Sequence, residues 1–281
     1  MILFKQIPDL QRFLSVQKSK GASIGFVPTM GALHGGHISL IHNSRQHDTI
    51  TVSSIFVNPT QFNDPKDFEK YPITMAADID LLEKNGCDVL FAPSVAAIYP
   101  QGLNNLPHYE LGYLETVLEG KFRPGHYQGV CQVVDRLLES VQPHHLYLGQ
   151  KDYQQCMVIK KLIELKGYNI EVVIGPTLRE NDGLAMSSRN MRLNEQERKQ
   201  AVRISETLSF IKQEIKPGYV ADLQNRAFQY LSAEGFKVDY VAIATADKLE
   251  LLETWDGKQP FVALIAAYLN EVRLIDNMLL N

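Results

Sequence analysis

No window of the chain holds the roughly 18 to 20 consecutive apolar residues that a membrane-spanning helix needs, so the sequence predicts no transmembrane segment and no membrane partner. Cysteine is scarce: three residues in 281, at positions 87, 131 and 156. They are odd in number, far apart and lack CxxC spacing, which excludes a disulfide scaffold and points to buried thiols in a reducing, cytoplasmic setting. None sits in a local sequence typical of a catalytic cysteine. An excess of one charge is also missing. Lys and Arg number 28 against 32 Asp and Glu, a net charge of -4, so nothing global favours nucleic acid or a membrane surface. The segment "MILFKQIPDLQRFL" lacks a basic stretch leading into an apolar core and a small-residue cleavage site, so no secretory leader is expected. Internal repeats and low-complexity segments are absent, which excludes repeat architectures.

What is present is an ordinary globular composition, 45% hydrophobic and 21% charged, in a chain long enough for one large domain or two unequal ones. Strand-like runs alternate with helix-like ones over the first two-thirds. "SIGFVPT", "TITVSSIFVNP", "DVLFAP", "HLYLG" and "IEVVIGPTLRE" read as strands. "ISLIHNSRQ", "TMAADIDLLEKNG", "GVCQVVDRLLESVQP" and "DYQQCMVIKKLIELKG" read as helices, with Thr74 and Asp152 as N-caps and Gly86 and Gly167 as C-terminal stops. Such alternation predicts right-handed βαβ crossovers and a Rossmann-like, doubly wound parallel sheet, an α/β fold with ligands beyond the C-terminal ends of the strands. The texture changes near Pro176. "RNMRLNEQERKQAVRISETLSFIKQEIKPG" reads as polar amphipathic helix, and "FKVDYVAIATAD" and "FVALIAAYLNEVRLIDNMLL" as β-rich. The expected division is a nucleotide-binding domain over 1–175 and a smaller α+β domain over 176–281.

Four segments carry chemistry. In "PTMGALHGGH", Gly31 and Gly36 have the spacing of a P-loop, but His37 and Ile38 replace its Lys and Ser or Thr, and GxGxxG is absent. A zinc site lacks the HExxH glutamate and any nearby acid or cysteine. Two readings stay open here, a tight turn with surface histidines, or glycines that let a phosphate approach a helix N-terminus with His34 and His37 one turn apart. The second segment, "LEGKFRPGHYQGV", sets Lys121, Arg123 and His126 around the rigid Pro124-Gly125 turn. "LGQKDYQQ" puts Lys151 at a strand's C-terminal end. "AMSSRNMRL" supplies two hydroxyls and Arg189 after a turn at Asn181-Asp182-Gly183. Each alone is equally a solvated loop or helix entry. Together they suit a nucleotide triphosphate and nucleotidyl transfer better than a Ser-His-Asp hydrolase, since no GxSxG elbow occurs.

In order along the chain, "PTMGALHGGH", "FVNPTQF", Tyr71-Pro72, "EGKFRPGHYQGV", "GQKDYQQ" and "MSSRN" cover Pro28 to Asn190. The sequence thereby resembles the pantothenate synthetase (pantoate–β-alanine ligase) family. HxGH alone indicates only the wider nucleotidyltransferase superfamily, whose members include adenylyl- and cytidylyltransferases. The resemblance implies a two-step ligation of (R)-pantoate and β-alanine through pantoyl adenylate, with ATP consumed to AMP and pyrophosphate and Mg2+ accompanying ATP. By the same resemblance, His34 and His37 contact ATP phosphates, and Lys151 and Arg189 stabilise charge on the α-phosphate. Ser187 and Ser188 bind phosphate, while Gly149, Asp152 and the Met30 backbone border the nucleotide. Gln61 and Gln155 hold pantoate, with Asn58 and Arg123 lining that region. No protein ligand is assigned to the metal. A homodimer through the N-terminal domain is implied, and the segment 58–71 and the smaller domain are expected to help close the site. One departure stands out: the family usually has Glu where this chain has Gln150.

Overall fold

In the computed structural model, residues 1–63 and 65–280 are described. They form two units, one from Met1–Gly149 with Gln155–Pro176, the other from Gln150–Gln154 with the chain from Thr177 onward. The expected cut at 175/176 is a single one, whereas the five residues Gln150–Gln154 group with the second unit.

The first unit is built on six parallel strands: β1 (Ile2–Phe4), β2 (Ile24–Thr29), β3 (Ile50–Ile55), β4 (Val89–Phe91), β5 (His145–Gly149) and β6 (Glu171–Gly175). Their order is β1-β4-β3-β2-β5-β6, the doubly wound arrangement expected. β3 is buried throughout and β2 nearly so, which is why both read as unbroken apolar or small-residue runs rather than alternating ones. Helix Gly35–His47 packs over β2, β3 and β5. Its Leu40 and Ile41 join Val27, Ile55, Leu82, Leu90 and Tyr147 in one apolar cluster. Helices Ile7–Ser19 and His126–Val141 pack on each other, and the latter on β2.

From β2 the chain steps to β3 and β4 on one side, then to β5 and β6 on the other. The switch point therefore lies between the C-terminal ends of β2 and β5, where an open α/β sheet leaves a crevice. Met30 follows β2 directly, and Gly149 ends β5.

Several local expectations need adjusting. The strand β1 and the helix Ile7–Ser19 have no counterpart in the sequence reading, because β1 is a three-residue edge strand with Ile2 and Leu3 exposed and no alternation to read. The strand expected over 170–180 stops at Gly175, before Pro176, which has no N–H to extend the ladder. Thr74 does precede a helix, Met75–Lys84, but makes no side-chain bond to its backbone. Its hydroxyl goes instead to Asp78 Oδ2 at 3.1 Å.

The second unit carries a three-stranded antiparallel sheet and a two-stranded ribbon. The ribbon pairs β7 (Gly218–Tyr219) with β9 (Thr254–Trp255); the sheet runs in the order β11 (Val272–Leu279), β10 (Phe261–Leu269), β8 (Lys237–Thr245). β10 is central and almost wholly buried. Its Phe261, Ala263, Ile265 and Ala267 meet Leu208, Ile211 and Leu231 of the helices Arg203–Glu214 and Ala221–Ala233. The run from 189 to 218, read as one helix, is broken. Asn194 opens a new helix, Glu195–Gln200, by accepting from Glu197 N–H at 2.9 Å, while Glu197 Oε2 accepts from Asn194 N–H at 2.9 Å. This reciprocal capping is what stops the preceding turn. The helix Ala221–Ala233 likewise has no counterpart in the sequence reading.

Candidate active site

After β2, Thr29 Oγ1 donates to Ser54 O at 2.6 Å and accepts from Gly31 N–H at 3.2 Å. Gly31 (φ +81°) and Ala32 (φ +48°) turn the chain through the left-handed region. The turn is held by the buried Asp78, whose two oxygens accept from Ala32 N–H at 3.0 Å and Leu33 N–H at 2.8 Å. His34 is the N-cap of helix Gly35–His47. Its Nδ1 accepts from Gly36 N–H at 3.2 Å, and His37 Nδ1 accepts from His34 N–H at 3.3 Å. The ring centroids lie 4.1 Å apart.

These bonds assign the tautomers. An Nδ1 that accepts carries no proton, so each neutral imidazole bears its hydrogen at Nε2. A Cβ on Gly36 would stand 2.9 Å from His34 Cε1, so a glycine there lets the His34 ring fold over the helix start. The segment is thus a helix N-terminus framed by two imidazole N–H donors, an arrangement that favours an anion.

At the end of β3, Asn58 is 1% exposed and its amide is committed to protein partners. Oδ1 accepts from Tyr99 OH at 2.9 Å. Nδ2 shares its hydrogens among Thr60 Oγ1 (3.0 Å), Gln61 Oε1 (3.2 Å) and Gly129 O (3.1 Å). Gln61 Nε2 in turn reaches Met30 Sδ at 3.0 Å. Asn58, Gln61 and Met30 are therefore brought together, with Asn58 placed as the support of Gln61. A Cβ on Gly129 would meet Thr60 O at 2.3 Å and Gln61 Cα at 2.7 Å, so only glycine lets helix His126–Val141 sit against this turn.

His126 is buried, which separates it from the exposed Lys121 with which it shares a segment. Arg123 Nη1 donates to His126 Nε2 at 3.0 Å, and since guanidinium only donates, the ring hydrogen sits at Nδ1 and donates to Gln61 O at 2.8 Å. The imidazole thus links Arg123 to the Gln61 backbone. Glu119 lies 3.6 Å from Arg123. Asn63 Nδ2 also donates to Pro124 O. Of the segment 58–71 expected to help close the site, Asp64 lies outside the described residues. Gln155 sits in the first turn of helix Tyr153–Lys166, partly buried.

In the second unit, Lys151 lies in the 3-10 turn Gln150–Asp152, its Nζ 3.6 Å from Asp152 Oδ1 and its side chain 17% exposed. Asn277 Nδ2 donates to Gln150 O at 2.9 Å and Lys151 O at 2.8 Å, while Gln150 Nε2 donates to Asn277 Oδ1 at 3.2 Å. The neighbouring Asp276 is buried and takes a two-pronged bond from Arg179, 2.6 and 3.0 Å. Burial pushes the Asp276 carboxyl up, opposed by that guanidinium. The turn expected at Asn181-Asp182-Gly183 is formed, with Gly183 N–H on Glu180 O at 2.9 Å. Ser187 then caps the 3-10 helix Ser188–Arg192 by accepting from Arg189 N–H at 3.3 Å, which gathers Ser187, Ser188 and Arg189 in one turn.

Nucleophilic cysteine chemistry finds no support. All three thiols are buried, and burial pushes those of Cys87 and Cys131 up to about 12.

Comparison with known proteins identifies the family. The family model for pantoate-beta-alanine ligase matches residues 2–279. The chain belongs to the pantoate–β-alanine ligase family. It is 44% identical to the pantothenate synthetase of Cytophaga hutchinsonii over 100% of this chain and 99% of that one. It is 42% identical to that of Bacteroides fragilis, covering 99% and 98%. Among solved structures, pantothenate synthetase from Thermus thermophilus superposes with a TM-score of 0.90 at 38% identity, over 99% of both chains. Pantoate-beta-alanine ligase from Francisella tularensis, complexed with beta-gamma ATP and beta-alanine, gives 0.80 at 39% identity, over 99% and 97%.

For a ligase of this family, the motif residues were legible in sequence, but the groups that hold them were not. Asp78 is 46 positions from Ala32 and looks like an ordinary acid in a helix's first turn. Tyr99 and Gly129 carry no local signal of their contact with Asn58. Asp276 and Asn277 do leave one, as two adjacent polar residues that interrupt the apolar run "RLIDNMLL".

Proposed function

We propose that the chain joins pantoate to β-alanine through pantoyl adenylate. A pantoate carboxylate oxygen attacks the α-phosphorus of ATP, the bond to the β-phosphate breaks, and pyrophosphate leaves. The β-alanine nitrogen then attacks the acyl carbon, the bond to the AMP oxygen breaks, and the amine proton passes to solvent. That the enzyme is a pantoate–β-alanine ligase rests on its family, and the complex of the Francisella relative with beta-gamma ATP and beta-alanine supports those two substrates.

The observation that carries the reading is the histidine pair. Because His34 and His37 use Nδ1 to accept at the helix start, the neutral rings carry their hydrogen at Nε2, a donor of the polarity that phosphate oxygens accept. Neither ring needs to gain a proton to serve. Lys151 and Arg189 are the proposed cations for the charge that grows on the α-phosphate during attack, and stabilisation that increases toward the transition state raises turnover. Ser187 and Ser188 supply hydroxyl or backbone donors to phosphate. Gly149, Asp152 and the Met30 backbone border the nucleotide. Gln61, held by Asn58, and Gln155 bind pantoate through neutral amides, which orient a carboxylate without over-stabilising the unreacted anion; Arg123 flanks them. No protein nucleophile is required, since positioning and electrostatics suffice for such transfers.

Mg2+ is proposed to arrive as the counter-ion of the ATP phosphates, the usual mode for this hard, strongly hydrated cation. Among the described residues no group of three or more His, Cys, Asp or Glu could hold a metal ion. A cytoplasmic homodimer formed through the N-terminal unit completes the proposal; a monomer mass at micromolar concentration would overturn the dimer.

The test is pantoate-dependent exchange of pyrophosphate into ATP without β-alanine, followed by AMP release on adding the amine. Exchange that needs pantoate, then AMP only with β-alanine, is the expected result. AMP formed only when all three substrates are present, with no exchange, would rule out a free-standing adenylation step.

A further inference from the structure

The residue before Lys151 carries a neutral amide, Gln150, and the second unit shows what that amide does there. Asn277 Nδ2 stands 2.9 Å from Gln150 O and 2.8 Å from Lys151 O. Two carbonyl oxygens can be met only by the NH2 end of the amide, so the orientation of Asn277 is determined by its contacts. Its Oδ1 must then point the other way, toward the Gln150 side chain, and Gln150 Nε2 donates to it at 3.2 Å. Asn277 is 2% exposed, so an oxygen left without a donor there would keep its full desolvation cost.

Asn277 is itself clamped. Its N–H donates to Asp276 Oδ1 at 2.7 Å, and its carbonyl accepts from Arg179 Nη2 at 3.3 Å. Arg179 grips the Asp276 carboxylate with both nitrogens and donates to Gly183 O at 3.1 Å. The clamp is therefore anchored in β11, and it ends on the carbonyl of Lys151, the group that sets where that side chain starts.

We propose that Gln150 and Asn277 form a hydrogen-bonded clasp that positions Lys151, and that Asn277 requires an amide rather than a carboxylate at residue 150. A glutamate there would set two acceptors against each other at 3.2 Å. If Asn277 flipped to meet it, the amide oxygen would face the two backbone carbonyls instead, and both of those bonds would be lost. Either way the turn that carries Lys151 loosens. Gln150 is a positioning residue, and the inference rests on the role of Lys151 given under Proposed function.

The experiment measures kcat and KM for Q150A, Q150E, K151A and the double variant Q150A/K151A, with melting temperatures to confirm folding. Misplacing a transition-state cation without removing it should lower kcat by about tenfold. The KM for ATP should stay within about twofold, because ground-state binding is not what Lys151 is asked to improve. Q150E should lose at least as much as Q150A. In the K151A background the Gln150 substitution should cost nothing further, since a clasp with no lysine to place has no catalytic consequence. The clasp is overturned if Q150A keeps kcat within about twofold of the parent, or if it costs the same factor with and without Lys151. K151A turning over like the parent would instead remove the role of Lys151, and the clasp with it. These failures are told apart by the K151A single variant. A merely structural Gln150 would lower the melting temperature without the dependence on Lys151.

Discussion

Asn58→Ala is the substitution that most directly separates a ligand-lining asparagine from one that builds the site. In the structure the amide accepts from Tyr99 OH at 2.9 Å and donates toward Gly129 O, Gln61 Oε1 and Thr60 Oγ1 at 3.0 to 3.2 Å. At 1% exposure no solvent stands ready to replace those bonds. Truncation takes the Asn58 acceptor from the buried Tyr99 hydroxyl, leaving it the Thr60 hydroxyl as neighbour, and removes the donor to Gly129 O. One orphaned buried polar group costs roughly 1 to 3 kcal/mol, so a loss of about 3 kcal/mol is expected for the pair. For a unit of this size that corresponds to a fall in Tm of about 6 to 12 °C. Scanning calorimetry of ligand-free protein reads the first effect. Steady-state kinetics reads the second, a raised KM for pantoate as Gln61 loses its support, with the KM for ATP little changed. Gln61→Ala is the control, expected to raise the pantoate KM while leaving Tm within about 2 °C, the range of a surface-type change. A Tm within about 2 °C of the parent for Asn58→Ala would refute the structural argument, because the bonds described here could not then be carrying stability.

The remaining predictions concern close packing and acid stability. Gly129→Ala places a methyl 2.3 Å from Thr60 O, so backbone must move at a cost of about 1 to 3 kcal/mol; a lower Tm with a raised pantoate KM is expected, and parent-like values of both would show that the turn moves freely. Asp135 is an acid-sensitive group of the first unit. Burial pushes its carboxyl up, but Tyr168 OH at 2.5 Å, Tyr109 OH at 2.7 Å and Lys166 Nζ at 2.9 Å outweigh that and hold it below the usual 3.8. A depressed folded value means the contribution is complete above the unfolded pKa and lost as pH falls through the folded one. Stability should therefore decline below about pH 4, and Asp135→Asn should flatten that acid limb in urea titrations at stepped pH. An unchanged limb would assign acid sensitivity to other carboxylates.

Much of this protein was determined by its sequence alone. Apolar runs such as "SIGFVPT" and "HLYLG" alternating with helical periodicity dictate a parallel sheet, because each pattern encodes its own local structure and the crossover rule supplies the topology. The motifs from "PTMGALHGGH" to "MSSRN" mark the family because each is a short, continuous string of residues. Tertiary structure alone decided what holds those residues. Asp78 on the loop before His34, Gly129 and Tyr99 around Asn58, and Asn277 on the Lys151 carbonyl are joined across 41 to 126 positions. A hydrogen bond between distant residues depends on where the folded backbone brings two groups, and even a local signal such as the polar pair in "RLIDNMLL" does not name its partner. The histidine tautomers belong to the same class, since the protons sit at Nε2 only because folded backbone N–H groups occupy Nδ1.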